Sequence, residues 1–141
     1  KDFIGQISYT VCLDQTYGEL DIEFSFGPQH FRPEDVTPEL KQRLLDYCKK
    51  EYGMKEGTPE EWEDAVYHGM KTEIHTMATL NDTFIGNIHR QLTTRHMHFT
   101  ATEATEGCIP QSTIDGVLKV TILVFSVLLD NTNYLLTVRA R

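Results

Sequence analysis

Strict alternation of apolar and polar residues near the N-terminus constrains the fold of this chain more than any other feature. In residues 5–14 large apolar side chains alternate with mostly polar ones. Ile7, Tyr9, Val11 and Leu13 share one side, and Gln6, Ser8, Thr10 and Cys12 share the other. Residues 20–26 repeat the pattern, with Leu20, Ile22, Phe24 and Phe26 against Asp21, Glu23 and Ser25. Because successive side chains of a strand point to opposite faces, each segment predicts a strand with one buried face. The turn-forming residues between them predict a β-hairpin.

A first helix is predicted after a loop rich in turn formers. Thr37 followed by Pro38 is a typical helix start, because a capping residue precedes a proline at the first helical position. Lysines in the last turns and Gly53 after them are typical of a helix end. Residues 38–52 therefore predict one helix.

A second, long helix is predicted over residues 59–92. Thr58 and Glu61 have the spacing of a capping box at its start. From there to Leu92 the apolar residues recur mostly at spacings of three, four or seven, which indicates a helical stripe. Residues 80–83 can kink or split this helix, since asparagine and aspartate compete with the helix backbone. This segment contains His68, His75 and His89, which should lie away from the apolar stripe. In a helix these three histidines would be too far apart to share one metal ion.

The C-terminal part of the chain predicts three further strands. Residues 96–104 alternate, and residues 117–129 and 134–141 flank a four-residue turn, which predicts a second hairpin. The element order is then β-β-α-α-β-β-β, without repeats or a linker. We therefore expect a single α+β domain over residues 1–141, a two-layer sandwich in which two helices pack on one face of an antiparallel sheet.

One predicted strand is apolar on both sides. Between residues 122 and 129 both faces carry large apolar side chains. Such a strand needs cover on both faces, and two helices can cover only one face of the sheet. The cover can be a second subunit, a ligand or a long loop such as residues 27–37. We expect a homo-oligomer whose interface contains Leu123, Phe125 and Val127, because exposed apolar surface normally marks an interface.

The predicted polar face of the sheet holds the candidate site. His96 and His98 lie opposite Met97 and Phe99, and so share the face of the polar strand residues. We expect ligand-binding residues there, namely His96, His98, Glu23, Cys12 and Thr100. Two histidines two residues apart on a strand can reach one divalent metal, with Cys12, Asp21 or Glu23 as a third ligand and one position open. The alternatives are acid–base chemistry or a partly exposed pair without a site.

Composition and cysteine positions exclude several classes of function. The formal net charge of −8 argues against a nucleic-acid partner, which requires a basic surface. No uncharged apolar stretch is long enough to predict a membrane span. The three cysteines lie in separate segments without a CxxC pair, which favours free thiols in the cytoplasm. A trimmed N-terminal signal is the alternative, since the sequence begins with lysine.

Known motifs and topologies give little further guidance. Residues 98–101 resemble one half of the paired signature of two-histidine phosphoesterases, but the second half is missing, since residues 75–78 place threonine directly after histidine. No nucleotide-binding, nucleophile-elbow or HExxH motif occurs. The order β-β-α-α-β-β is similar to that of tunnelling-fold enzymes, which act on pterins and purines and oligomerise through their sheets. The zinc-binding histidine pattern of that group does not match here.

Two functions from different classes follow. The first is a non-enzymatic binding or assembly module that oligomerises through its sheet, binds a small molecule or a protein and uses no cofactor. The second is a small enzyme with its site on the open sheet face or at a subunit boundary, assisted by a divalent metal held by His96 and His98. The sequence favours the first, because no complete catalytic motif is present.

Overall fold

The computed structural model describes residues 2–53, 57–88 and 91–141, which form a mixed α+β fold. Short 3₁₀ and π-helical turns cover Pro33–Asp35 and Asp64–Gly69. The helices and strands are β1 (Gly5–Tyr17), β2 (Leu20–Gly27), α1 (Pro38–Tyr52), α2 (Pro59–Glu63), β3 (Glu73–Leu80), β4 (Thr83–Asn87), β5 (Thr94–Phe99), β6 (Ile114–Ser126) and β7 (Asn133–Ala140). No helix in the described ranges combines the length and apolarity that crossing a membrane requires.

The strands form two antiparallel sheets instead of the single sheet predicted. The four-stranded sheet has the order β1-β6-β3-β4, and the three-stranded sheet has the order β5-β2-β7. Buried residues of both sheets pack in one cluster, including Leu20, Ile22, Met97, Phe99, Ala78, Leu118 and Val120. β2 thus buries its predicted apolar face, but against the other sheet, whereas the buried face predicted for β1 is wrong, since Tyr9 is 41% and Val11 37% exposed.

Both predicted hairpins are wrong, although their strands exist. β1 pairs with β6 in the four-stranded sheet, whereas β2 pairs with β5 and β7 in the other. β6 and β7 are likewise separated between the two sheets. Alternation specifies which side of a strand is buried, but it does not specify the pairing partner. A short connection can therefore turn a corner between two sheets as well as close a hairpin.

The long helix predicted over residues 59–92 is also wrong beyond its first turns. Helical structure ends at Gly69, and β3 and β4 follow as a hairpin. Asn81 and Asp82 form its tight turn with φ angles of 50° and 63°, a conformation that these two residue types tolerate. The inward side of β3 mixes threonine with apolar residues, so its alternation was hidden: Ile74, Thr76, Ala78 and Leu80.

The first helix is confirmed at both ends. The Thr37 hydroxyl accepts a hydrogen bond from the Leu40 amide, and Gly53 ends α1 with a left-handed φ of 61°. The capping box of Thr58 and Glu61 at the start of α2 is confirmed as well. A small apolar cluster joins the two helices to the segment just after β6. Phe31, Trp62 and Val66 are its buried residues, and the leucines that pack against them include Leu40, Leu44, Leu128 and Leu129.

Candidate functional site

The outer face of the three-stranded sheet collects the polar residues singled out by the sequence. Asp21 is the direct partner of His98 across β2 and β5, and Glu23 is the partner of His96. On the other side of β2, Asp21 is paired with Arg139 of β7. Because the intervening residues Ile22 and Met97 are buried in the core, alternation places all of these side chains outward.

Asp21 is the centre of this face, and it is buried although it lies on the outer side. Its Oδ1 accepts hydrogen bonds from His96 Nε2 at 2.8 Å and from His98 Nδ1 at 2.9 Å. Its Oδ2 accepts one from an Arg141 terminal guanidinium nitrogen at 2.9 Å. The three donors cover the carboxylate, and its side chain is only 8% exposed.

Glu19, the residue just before β2, interacts with the same arginine and lies near the same histidine as Asp21. Arg141 donates to it from Nε at 2.9 Å and from a terminal nitrogen at 3.1 Å. Glu19 Oε1 also lies 3.7 Å from His98 Nδ1. The set formed by Glu19, Asp21, His96, His98 and Arg141 is called the polar cluster below.

Interactions within the polar cluster lower the pKa values of its two carboxyl groups and raise the pKa of Arg141, so the charged forms of all three groups are favoured. Burial by itself raises the pKa of Asp21, but the hydrogen bonds from His98 and His96 and the charges of both imidazoles outweigh it, so the net pKa is lowered. The hydrogen bond from Arg141 lowers the pKa of Glu19. The same bond, with the charges of both carboxylates, raises the pKa of Arg141. Both carboxylates are therefore anionic at neutral pH.

The structure separates the other residues predicted for this site. Cys12 lies in the four-stranded sheet opposite Val117, because β1 pairs with β6 instead of β2. The Thr100 hydroxyl is bonded to the Glu103 backbone in the loop after β5. Glu23 shares the face with His96 but makes no hydrogen bond or ion pair with any described residue. Cys12 is thus too far from the histidines to be their third metal ligand, and Glu23 is not among the residues whose ligand atoms converge with those of His98.

Sequence reasoning missed two members of the polar cluster. Glu19 was assigned to a turn, although its position two residues before Asp21 places it on the same face. Arg141 was not considered, because its approach depends on β7 lying beside β2. Of the other histidines, His68 is exposed beside Asp64, and His75 lies buried on β3 next to Glu73. His89 lies outside the described residues.

A second feature is a cavity of about 940 Å³ between α1 and the segment after β6. Its walls are mainly apolar and include Phe31, Leu40, Leu44, Cys48, Met70, Val127, Leu128 and Leu129. Charged residues stand at its border, among them Arg43, Lys71, Glu73 and Asp130. We refer to this space as the apolar cavity. None of the residues of the polar cluster lines it.

The predicted interface residues divide between two places. Leu123 and Phe125 lie on the outer face of the four-stranded sheet, where Phe125 is 52% exposed and Val117 43% exposed. The edge of the His75 ring packs against Phe125 on the same face. Val127 lies beyond the end of β6 and lines the apolar cavity. The apolar residues that seemed to form one surface therefore belong to a sheet face and to a cavity wall.

Thiol chemistry receives no support from the cysteine environments. Burial raises the pKa of Cys48 and of Cys108, which keeps both thiols protonated and weakly nucleophilic. Cys12 is exposed, but it stands in a different sheet from His96 and His98.

Comparison with known proteins assigns the chain to a family but indicates no function. The model of one protein family, described as a family of unknown function, matches residues 1–141. No curated protein and no solved structure matches the chain.

Proposed function

Because the chain belongs to DUF6669, a family of unknown function, we propose a function from its geometry alone: it is a non-enzymatic binding module that holds the apolar part of a small molecule. The observation that supports this proposal is the apolar cavity. Its volume of about 940 Å³ is at the upper end of the range of roughly 300–1,000 Å³ that ligand sites occupy.

The apolar side chains that line the cavity suit the hydrocarbon part of a ligand. In this proposal α1 forms a second layer over one end of the four-stranded sheet, and the ligand lies between the layers. Leu40 and Leu44 of α1 line the cavity together with Val127 and Leu128. Burial of apolar ligand surface between such walls is favourable by about 25 cal/mol per Å².

The border of the cavity provides an anchor for a polar end. Arg43 makes no hydrogen bond or ion pair with any residue in the described part of the chain, whereas Lys71 is bonded to Gln91 and Glu73 to His75. The Arg43 guanidinium therefore has donors available for an acceptor oxygen of the ligand. We accordingly propose an amphipathic ligand with an apolar body and an oxygen-bearing end.

Fluorescence of the single tryptophan tests the cavity directly. Trp62 packs in the same cluster as Leu40 and Leu44, so its emission should change when the cavity fills. Dodecanoate and dodecanol serve as probes. We expect a saturable change in the wild-type protein and its loss in Leu44→Glu, which places a carboxylate in the apolar wall. Leu135→Glu, at a position 62% exposed outside the cavity, should bind as the wild type does.

Two results would contradict this proposal. One is the absence of a saturable signal with either probe, and the other is unchanged binding in Leu44→Glu. A circular dichroism spectrum of each variant shows whether the strands and helices are retained, so that unfolding is not mistaken for lost binding.

We also propose that the module assembles with copies of itself through the outer face of the four-stranded sheet. Phe125, Val117 and Phe84 are large apolar residues of that sheet, and each has more than two fifths of its surface exposed. Apolar residues grouped on one sheet face are typical of an interface. In this proposal Leu123 belongs to the interface, whereas Val127 lines the cavity.

A small enzyme acting at the polar cluster is the second candidate. It is supported by Asp21, which binds one ring nitrogen of each histidine and thereby orients both imidazoles. An imidazole oriented by a carboxylate is suited to general base catalysis. Hydrolysis of a panel of phosphate and carboxylate esters, compared between the wild type and His98→Ala, tests this candidate. Equal rates in both proteins would contradict it.

A further inference from the structure

Two pairs of potential metal ligands stand on adjacent antiparallel strands. Glu19 and Asp21 are two residues apart at the start of β2, and His96 and His98 are two residues apart on β5. Each pair projects from the outer face, and the register places Asp21 directly beside His98. The two strands therefore present two carboxylates and two imidazoles to one region.

The ligand atoms of Glu19, Asp21 and His98 converge, and His96 adjoins this group through Asp21. His96 Nε2 lies 2.8 Å and His98 Nδ1 2.9 Å from Asp21 Oδ1, and His98 Nδ1 lies 3.7 Å from Glu19 Oε1. Atoms of Glu19, Asp21 and His98 that can bind a metal all lie within 4.8 Å of one another. Ligands of a tetrahedral zinc ion are about 3.3–3.6 Å apart, given bond lengths of about 2.0–2.2 Å. The observed separations bracket that spacing, and a metal ion would replace the hydrogen bonds that His96 and His98 donate to Asp21.

We infer that Glu19, Asp21, His96 and His98 form a binding site for a divalent transition metal such as Zn²⁺. Imidazole and carboxylate together suit zinc and its neighbours, whereas calcium and magnesium prefer sites made of oxygen ligands only. The inference goes beyond the proposed ligand binding, since the apolar cavity is lined by other residues.

Arg141 fits this site as an outer partner of the two carboxylates. It holds Asp21 by Oδ2 and leaves Oδ1 directed to the histidines. Glu19 would have to release one guanidinium hydrogen bond, of 3.1 Å, to offer Oε1 to the metal. The charge of Arg141 then offsets part of the negative charge of the ligand set, and its hydrogen bonds fix the carboxylate orientation.

The exposure of both histidines leaves room for a fifth ligand beside the four protein ligands. The side chains of His96 and His98 are 53% and 32% exposed, while Asp21 closes the inner side of the site. A metal ion there would be bound from within the sheet and open to solvent on the outside. Water or a small anion could occupy that outer position.

Isothermal titration calorimetry tests this site: chelator-treated protein is titrated with ZnCl₂, and the stoichiometry and affinity of zinc binding are measured. We expect one saturable zinc per chain in the wild type. In His98→Ala the affinity should fall by more than the roughly 10- to 100-fold that the loss of an outer partner costs. His68→Ala is the matched control, because His68 also stands beside a carboxylate, 3.4 Å from Asp64, but outside the polar cluster. Its affinity should equal that of the wild type.

Cobalt provides a second measurement that does not depend on any variant. Co²⁺ bound by this nitrogen and oxygen set in the wild-type protein should give a visible spectrum distinct from that of the hydrated ion, and ZnCl₂ should remove it. The proposal is overturned if the wild type shows no saturable zinc and leaves the cobalt spectrum unchanged. It is equally overturned if a folded His98→Ala protein binds zinc as tightly as the wild type.

Discussion

Asp21 and His98 are direct partners across β2 and β5, and Asp21 Oδ1 lies 2.9 Å from His98 Nδ1. A carboxylate on the outer face of a sheet is normally solvated, yet this one is buried. Burying it is tolerated because His96, His98 and Arg141 all donate to it. The polar cluster thus has a structural role whether or not it also binds a ligand.

Replacing Asp21 should therefore destabilise the fold. In Asp21→Ala the three donors lose their shared acceptor, and we expect the free energy of unfolding to fall by about 1–3 kcal/mol. Urea denaturation measures this change. Glu23→Ala, two residues along the same face and without a polar partner among the described residues, should change stability by less than about 0.5 kcal/mol. Equal losses in both variants would contradict the role assigned to Asp21.

Tyr9 and Tyr134 should titrate in a way that reveals the contact between β1 and β7. Their hydroxyls are hydrogen-bonded, and this bond, with burial, raises the pKa of Tyr134 from 10.0 to about 12. The folded pKa exceeds the unfolded one, so the stabilisation is complete below a pH of about 10 and disappears as the pH rises through about 12. In Tyr9→Phe the pKa of Tyr134 should return toward 10.0.

Near-ultraviolet absorbance during an alkaline titration measures this shift. Tyr134→Phe identifies the relevant step, because it should remove the highest of the tyrosine transitions near a pH of 12. A transition that keeps its pH in Tyr9→Phe would show that the two hydroxyls are not coupled.

Gly116 should not accept a side chain. Its φ is +81°, and a Cβ there would overlap Asn81 Oδ1. Asn81 accepts a hydrogen bond from the Val117 amide at 2.8 Å and donates to the Asp115 carbonyl at 3.0 Å, so it cannot move without losing both. We expect Gly116→Ala to lower the free energy of unfolding by about 1–3 kcal/mol. Gly18→Ala is the control, since a Cβ there meets only the Arg141 carbonyl oxygen at 3.9 Å.

Thermal or urea denaturation of both glycine variants decides this prediction. Equal stability of the Gly116→Ala and Gly18→Ala proteins would mean that the Asn81 contact does not constrain the turn.

Phe125→Glu should dissociate the proposed oligomer. A charge in the middle of an apolar contact is desolvated without a partner, which opposes association. Light scattering should give the wild type a mass that is a multiple of 16.2 kDa and the variant a mass of 16.2 kDa. Leu135→Glu, on the three-stranded sheet, should keep the wild-type mass. A monomeric wild type, or a Phe125→Glu protein of unchanged mass, would exclude this interface.

Local signals in the sequence were sufficient for several elements. Thr37, Pro38 and Gly53 bound α1 correctly, because caps act within a few residues of the helix end. Alternation identified β1 and β2 and the buried side of β2, but the side of β1 predicted to be buried is largely exposed, with Tyr9 41% and Val11 37% exposed. It also put His96, His98 and Asp21 on the same face, since parity along a strand fixes the direction of each side chain.

Local signals were ambiguous where two periodicities fit the same residues. The apolar spacing through residues 73–87 is compatible with a helix, but the chain forms β3 and β4, joined at Asn81 and Asp82. Thr76 at a buried position of β3, with the buried His75 on the opposite face, concealed the period of two. The central place of β3 next to β6 stabilises the strand, because pairing with a neighbour outweighs weak local propensity.

The sequence by itself determined α1, the alternating strands and the buried face of β2, because these depend on neighbours a few residues apart. Only the tertiary structure decided the rest. It assigned the strands to two sheets, brought Arg141 beside Glu19 and Asp21, and opened the cavity between α1 and the segment after β6. The physical reason is that strand pairing and side-chain packing join residues far apart in the chain, and their partners are selected by the free energy of the whole core and not by any local pattern.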